Sequence, residues 1–199
     1  MKSDPADLAA MISRAQADRN AGKDGLPPVE RWKPDYCGDI DMEIRADGTW
    51  FYMGTPIGRP ALVRLFSTVL RRDEDGKTYL ITPVEKIGIR VVDAPFLAVE
   101  MTVSEEDGEQ VLTFRTNVGD VVRVGPDNPL RFVVTGETDQ LKPYILVRGR
   151  LEALVNRAVT YDLLALGEEA ELGDEPMYVV RSAGAVFPVM PMARLEASV

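Results

Sequence analysis

Asp39-Ile40-Asp41-Met42-Glu43-Ile44-Arg45-Ala46-Asp47-Gly48-Thr49-Trp50-Phe51-Tyr52-Met53 is the stretch that decides the fold. Ile40, Met42 and Ile44 alternate with Asp39, Asp41, Glu43 and Arg45. A period of two with one apolar side marks a strand that buries one face against a core. Asp47-Gly48 then supplies a tight hairpin turn, and Thr49–Met53, dense in aromatics, reads as the returning strand.

Working outward, Gly54-Thr55-Pro56-Ile57-Gly58 is a turn, and Pro60 opens a short helix with Leu62, Leu65, Phe66 and Val69 on one face. Asp73-Glu74-Asp75-Gly76 turns the chain into a strand over 78–82, which Pro83 ends, and another strand follows over 87–92. Residues 96–103 and 111–116 flank Glu106-Asp107-Gly108-Glu109 as a hairpin, with further short strands at 121–124 and 130–134. Upstream, Ser3-Asp4-Pro5 caps a helix whose stripe is Leu8, Met11, Ile12 and Ala15, followed by the linker Lys23-Asp24-Gly25-Leu26-Pro27-Pro28.

The last third echoes the first. Residues 130–134 and 143–148 form a hairpin, and Gly149-Arg150 leads toward Ala153-Leu154-Val155-Asn156, which parallels Ala61-Leu62-Val63-Arg64. Tyr178-Val179-Val180 then echoes Tyr79-Leu80-Ile81. The expected architecture is α+β, predominantly antiparallel β, with two related strand–strand–helix–strand–strand units and an N-terminal helix. Residues 1–30 form the helix and linker, 31–94 the first β-rich unit, 95–128 a connecting hairpin and strand, and 129–199 the second unit. Residues 43–92 should superimpose on 130–190, with helices starting near Pro60 and Leu151.

Composition narrows the chemistry. The 199 residues contain no histidine and one cysteine, Cys37. Histidine-based acid–base catalysis, thiolate-rich zinc sites and an internal disulfide are therefore ruled out. No apolar run reaches the ~18–20 residues that cross a bilayer, and the opening residues do not resemble a secretory signal. The reading is a cytoplasmic chain without a membrane span. The net charge of −9 arises after residue 90, where nine Lys/Arg face eighteen Asp/Glu. An acidic chain lacks the clustered cations that phosphate backbones need, so nucleic acid is not an expected partner.

Several short motifs stand in a fixed order. They are Trp32-Lys33-Pro34, Cys37-Gly38, Asp47-Gly48-Thr49-Trp50, Gly54-Thr55-Pro56-Ile57 with Arg59, and Leu62-Val63-Arg64-Leu65-Phe66-Ser67. Asp75-Gly76, Tyr79-Leu80, Thr82-Pro83-Val84-Glu85-Lys86 and Asp93-Ala94-Pro95-Phe96 continue the series. Together they resemble the DUF1285 family of uncharacterised bacterial proteins, from about residue 30 to the C-terminus. The resemblance implies a β-rich fold with repeated motifs and a link to ligand binding or signal transduction. It implies no catalytic residue, cofactor or substrate.

The bend Thr82-Pro83-Val84-Glu85-Lys86 projects a carboxylate and an ammonium where they can meet a polar ligand, or simply form a solvated ion pair. Gly54–Arg59 opens a helix and can present backbone N–H groups to an anion, with Arg59 and Arg64 adding charge; the same glycines also fit ordinary tight turns. Trp50 is an aromatic of either core or recognition surface. The expected ligand-binding residues are thus Trp50, Arg59, Arg64, Thr82, Glu85 and Lys86. The functional expectation is a non-enzymatic module binding a small anionic ligand or a protein partner in a groove between the repeats, with neither cofactor nor metal. The alternative is a carboxylate-dependent hydrolase-like enzyme using Glu85 with Asp39 or Asp41.

Overall fold

The computed structural model describes residues 10, 12–13, 25–135 and 140–196. Of the helix expected near the N-terminus, all but Ala10, Ile12 and Ser13 lies outside the described residues. The chain divides into two compact units, one running through Pro95 and taking in Gly149–Leu151, the other holding Phe96–Arg148 and the remainder.

The protein is mostly β. In the first unit a short 3-10 turn, Val29–Arg31, precedes β1 (Tyr36–Ile44), β2 (Trp50–Tyr52) and β3 (Thr55–Pro56). Helix α1 (Pro60–Ser67) leads to β4 (Leu70–Arg72), β5 (Thr78–Ile81) and β6 (Lys86–Val91). These strands make one sheet in the order β3-β2-β1-β6-β5-β4, in which β1 and β6 run parallel and the other neighbouring pairs antiparallel.

The alternation read in β1 holds. Met42 and Ile44 are buried, and their partners across the hairpin are Tyr52 and Trp50. The Asp47 carboxylate accepts the Thr49 N–H at 2.9 Å, and Gly48 takes the positive φ of 79° that the turn requires. Pro60 sits in the first turn of α1, where its missing N–H costs nothing. The helix lays Phe66 on the sheet, stacked against Trp50 with ring centroids 6.3 Å apart. Leu70, Leu80 and Ile81 complete this core.

A second six-stranded sheet is formed by β7 (Phe96–Glu106), β8 (Glu109–Thr116), β9 (Val121–Arg123), β10 (Leu130–Thr135), β11 (Gln140–Arg148) and β12 (Leu151–Val155), all in the second unit but for Leu151. Their order is β10-β11-β12-β7-β8-β9, with β7 and β12 parallel at the centre. Read from the other edge, this is the first sheet with six added to each strand number. Both are two three-stranded meanders joined so that the first and last strands lie side by side. Helix α1 makes the middle connection in the first unit, and the loop between β9 and β10 makes it in the second.

The duplication is therefore present, but its register along the chain differs from the expectation. Residues 36–91 correspond in topology to 96–155, whereas 130–190 span half of one sheet, a helix and part of another sheet. The expected helix at Leu151 is strand β12: Leu151, Ala153 and Val155 are buried and alternate with half-buried neighbours. The helix starts later, as α2 (Arg157–Leu164), where the Asn156 side chain accepts the Val159 N–H at 2.8 Å. Five residues of which four are apolar, Leu151-Glu152-Ala153-Leu154-Val155, fit either period, and the likeness to Ala61-Leu62-Val63-Arg64 pointed to the wrong one.

Beyond α2, β13 (Glu168–Leu172), β14 (Glu175–Ser182) and β15 (Ala185–Pro191) form a separate antiparallel sheet, closed by α3 (Met192–Glu196). Buried Ser182 ties it to β8 and β9 by accepting the Leu112 N–H at 2.9 Å and donating to the Val124 carbonyl at 2.9 Å. Among the described residues no helix is long and apolar enough to cross a membrane.

Candidate functional site

The strand register of the first unit builds a cleft. Arg72 on β4 stands opposite Thr78 on β5, and Thr78 stands opposite Ile89 on β6. Register partners share a face, so these side chains form one row across three strands. Asp39 pairs with Gly88, which puts its neighbour Ile40 on the same face as Ile89. Val91, two residues on, shares that face as well. The resulting cleft, about 370 Å³, is lined by these residues together with Gly76, Lys77, Asp93 and Pro95 and by Asp39, Gly88 and Arg90 along its strands. Ile40, Ile89 and Val91 give it an aliphatic part beside Arg72 and Thr78.

The cations of the cleft differ in their commitments. Arg90 forms an ion pair with Glu43. Arg72 donates Nε to the Gly76 carbonyl at 3.2 Å, and no carboxylate among the described residues pairs with it. Lys77 is exposed and likewise has no carboxylate partner among them. Asp39 accepts the Tyr36 hydroxyl at 2.7 Å, which raises the Tyr36 pKa above its ordinary value. A methyl placed on Gly88 would lie 1.8 Å from the Asp39 carboxylate, so only glycine leaves room for that side chain.

The opposite face of the same sheet carries a polar lattice. Asp73 receives Arg71 Nε at 2.6 Å and Lys86 Nζ at 2.5 Å, and these cations, Arg71 foremost, hold its pKa below the usual carboxylate value. Arg71 also donates Nη1 to the carbonyls of Val29 and Trp32, both at 2.8 Å. Lys86 lies 4.0 Å over the Tyr79 ring. The Tyr79 hydroxyl donates to Asp75 at 2.6 Å, an interaction that pushes the phenol up to about 12 and lowers Asp75.

The residues singled out in the sequence fall in several places. Lys86 belongs to this lattice. Thr82 is buried, and its hydroxyl accepts the Glu85 N–H at 3.0 Å, closing the bend on itself. Glu85 is half-buried beside it and does not line the cleft. Trp50 is 1% exposed, and its indole Nε1 is a buried donor with no partner among the described residues. Arg59 precedes α1 and Arg64 lies on it; both are exposed, with no carboxylate partner among the described residues.

Nor do the bend and the glycine loop meet. Lys86 pairs with Tyr36 at the start of β1. The loop leaves β3, whose Pro56 pairs with Phe51 and, through it, with Glu43. On β6 these levels are Lys86 and Arg90, four residues apart, or roughly 13 Å at ~3.3 Å per residue. Asp41 does not line the cleft, and among the described residues no three Cys, Asp or Glu side chains gather as metal ligands.

Arg72, Thr78, Ile89 and Asp93, which make the cleft, were not among the expected site residues. A usable signal existed in Thr78, a polar residue at an inward position of an otherwise apolar strand.

The N-terminal domain model of DUF1285, a domain of unknown function, matches residues 27–94, and the C-terminal domain model of DUF1285 matches 95–189. A crystal structure of a DUF1285 family protein from Silicibacter pomeroyi DSS-3 is 48% identical, covers 92% of this chain and 97% of its own, and superimposes with a TM-score of 0.79. One from Shewanella baltica OS155 is 26% identical over 62% of this chain and 90% of its own, with a TM-score of 0.49. No curated protein matches the chain.

Proposed function

The chain belongs to the DUF1285 family, and from that premise we propose that it is a non-enzymatic module binding a small anionic ligand in the cleft of its first unit. The observation that carries this reading is the row Arg72–Thr78–Ile89. It sets a guanidinium without a carboxylate partner among the described residues, a hydroxyl and an aliphatic side chain side by side. Arginine stays charged at working pH and grips carboxylate or phosphate oxygens with parallel hydrogen bonds. A concave, partly apolar site with a few convergent polar groups is the usual form of a small-molecule pocket, and about 370 Å³ lies near the lower end of its size range.

Exposed Arg59 and Arg64 are available to a protein partner, and a role in signal transduction would follow from coupling such a partner to the ligand. The hydrolase reading requires Glu85 and Asp39 or Asp41 around one substrate; of these three only Asp39 lines the cleft.

A thermal-shift screen of carboxylates, phosphates and nucleotides tests the proposal. At a hundred times its dissociation constant a ligand should raise the melting temperature by roughly 5–10 °C for a chain of this size. The same compound should give little shift with Arg72→Gln. Equal shifts in both proteins, or none from any compound, would contradict it.

A further inference from the structure

We infer that the ligand of this cleft is a small monocarboxylate with an apolar tail. The inference rests on the binding reading above and specifies its chemistry. The cleft has two unlike ends. Arg72, on the β4–β5 hairpin with its guanidinium hydrogen-bonded to the Gly76 carbonyl, forms a cationic head site. Moving across the sheet, the row passes Thr78 and reaches Ile89, with Val91 on the same strand and Ile40 on the next.

Three strand spacings separate β4 from β1, roughly 14 Å at ~4.8 Å each. The long arginine side chain takes up part of that span. What remains suits an aliphatic or aryl body of several carbons lying over Ile89, Val91 and Ile40. Such a body removes apolar surface from water on both sides.

The cations on this face limit the charge of the head. Asp39, which pairs with Gly88 and through it with Tyr79, lies on the lattice face, as do Arg90, level with Glu43, and Lys77, opposite Asp73. Among the described lining residues that leaves Arg72 as the cation on the face of Thr78 and Ile89. One anionic group at Arg72 is what this face matches, and a second would sit unpaired over Ile89, Val91 and Ile40, where an unpaired charge is costly.

Calorimetric titration with octanoate, butyrate, 1-octanol, inorganic phosphate and AMP, against the wild type and Arg72→Gln, tests this. Octanoate should bind the wild type, and each methylene removed toward butyrate should weaken binding roughly fourfold. Octanol should bind roughly ten- to a hundredfold more weakly than octanoate, the loss of charge-assisted hydrogen bonds. Arg72→Gln should weaken octanoate by a similar factor and leave octanol unchanged. The octanoate–octanol comparison needs only the wild type, so it stands even if the variant folds poorly. Equal binding of octanoate and octanol would overturn the inference. Arg72-dependent binding of phosphate or AMP without octanoate would overturn it too, while leaving the binding reading intact. Failure of all five compounds would count against both.

Discussion

Phe66→Ala is expected to destabilise the first unit by about 3–5 kcal/mol, the cost of emptying an aromatic site in a packed core. Phe66 has no exposed surface and is the residue through which α1 presses on the sheet. Its ring stacks on Trp50 at an interplanar angle of 28°, and Trp50 is itself 1% exposed. A backbone already fixed by the flanking β3 and β4 cannot close over the void, so the cavity adds to the lost transfer energy. Leu62→Ala, half-buried on the same helix, should cost clearly less. Urea unfolding followed by tryptophan fluorescence reports the difference as a shifted midpoint at unchanged slope. A Phe66→Ala loss no larger than that of Leu62→Ala would mean that α1 does not close this core.

The second large effect concerns Arg71. Its side chain is 12% exposed and joins two chain segments, its own at 71–73 through Asp73 and 29–32 through the carbonyls of Val29 and Trp32. Arg71→Ala leaves a half-buried carboxylate with Lys86 alone and strips both carbonyls of this donor. A loss of about 2–3 kcal/mol is expected, below that of a fully buried pair because water still reaches Asp73.

The pH dependence follows from Asp73, whose folded-state pKa is lowered, first by Arg71 and then by Lys86. A lowered carboxylate stabilises the fold at pH values above its unfolded pKa of ~3.9 and loses that contribution as pH falls through the folded value. The gap between wild type and Arg71→Ala should therefore be widest near neutrality and narrow below about pH 4. Urea midpoints at pH 7 and pH 3 measure it. A gap of the same size at both would place the effect of Arg71 in its carbonyl contacts rather than in the ion pair.

The legible and illegible parts of this fold divide along a physical line. Asp39–Ile44 announced β1 because alternation is a property of the strand itself, and Asp47-Gly48 announced the turn because a positive φ favours glycine. Pro60 and the stripe through Phe66 announced α1 on the same local grounds. Residues 151–155 failed because five apolar-rich residues satisfy both a strand and a helix, and only pairing with β7 decides between them. The repeat was misaligned for that reason: with a helix read at 151, the last third resembled the first. The cleft was hidden for a different one. Arg72, Thr78 and Ile89 become neighbours only through strand register, which sequence patterning does not supply.

The central claim is that a ligand sits on the row Arg72–Thr78–Ile89. Amide chemical shifts of nitrogen-15-labelled protein, recorded while octanoate is added, test it most directly. The account predicts saturable changes at Arg72, Lys77, Thr78, Ile89 and Val91, with the lattice around Tyr79 and Lys86 and the strands of the second unit left largely unmoved. Saturable changes centred on Arg59 and Arg64, or on the second unit, with Thr78 and Ile89 silent, would contradict it.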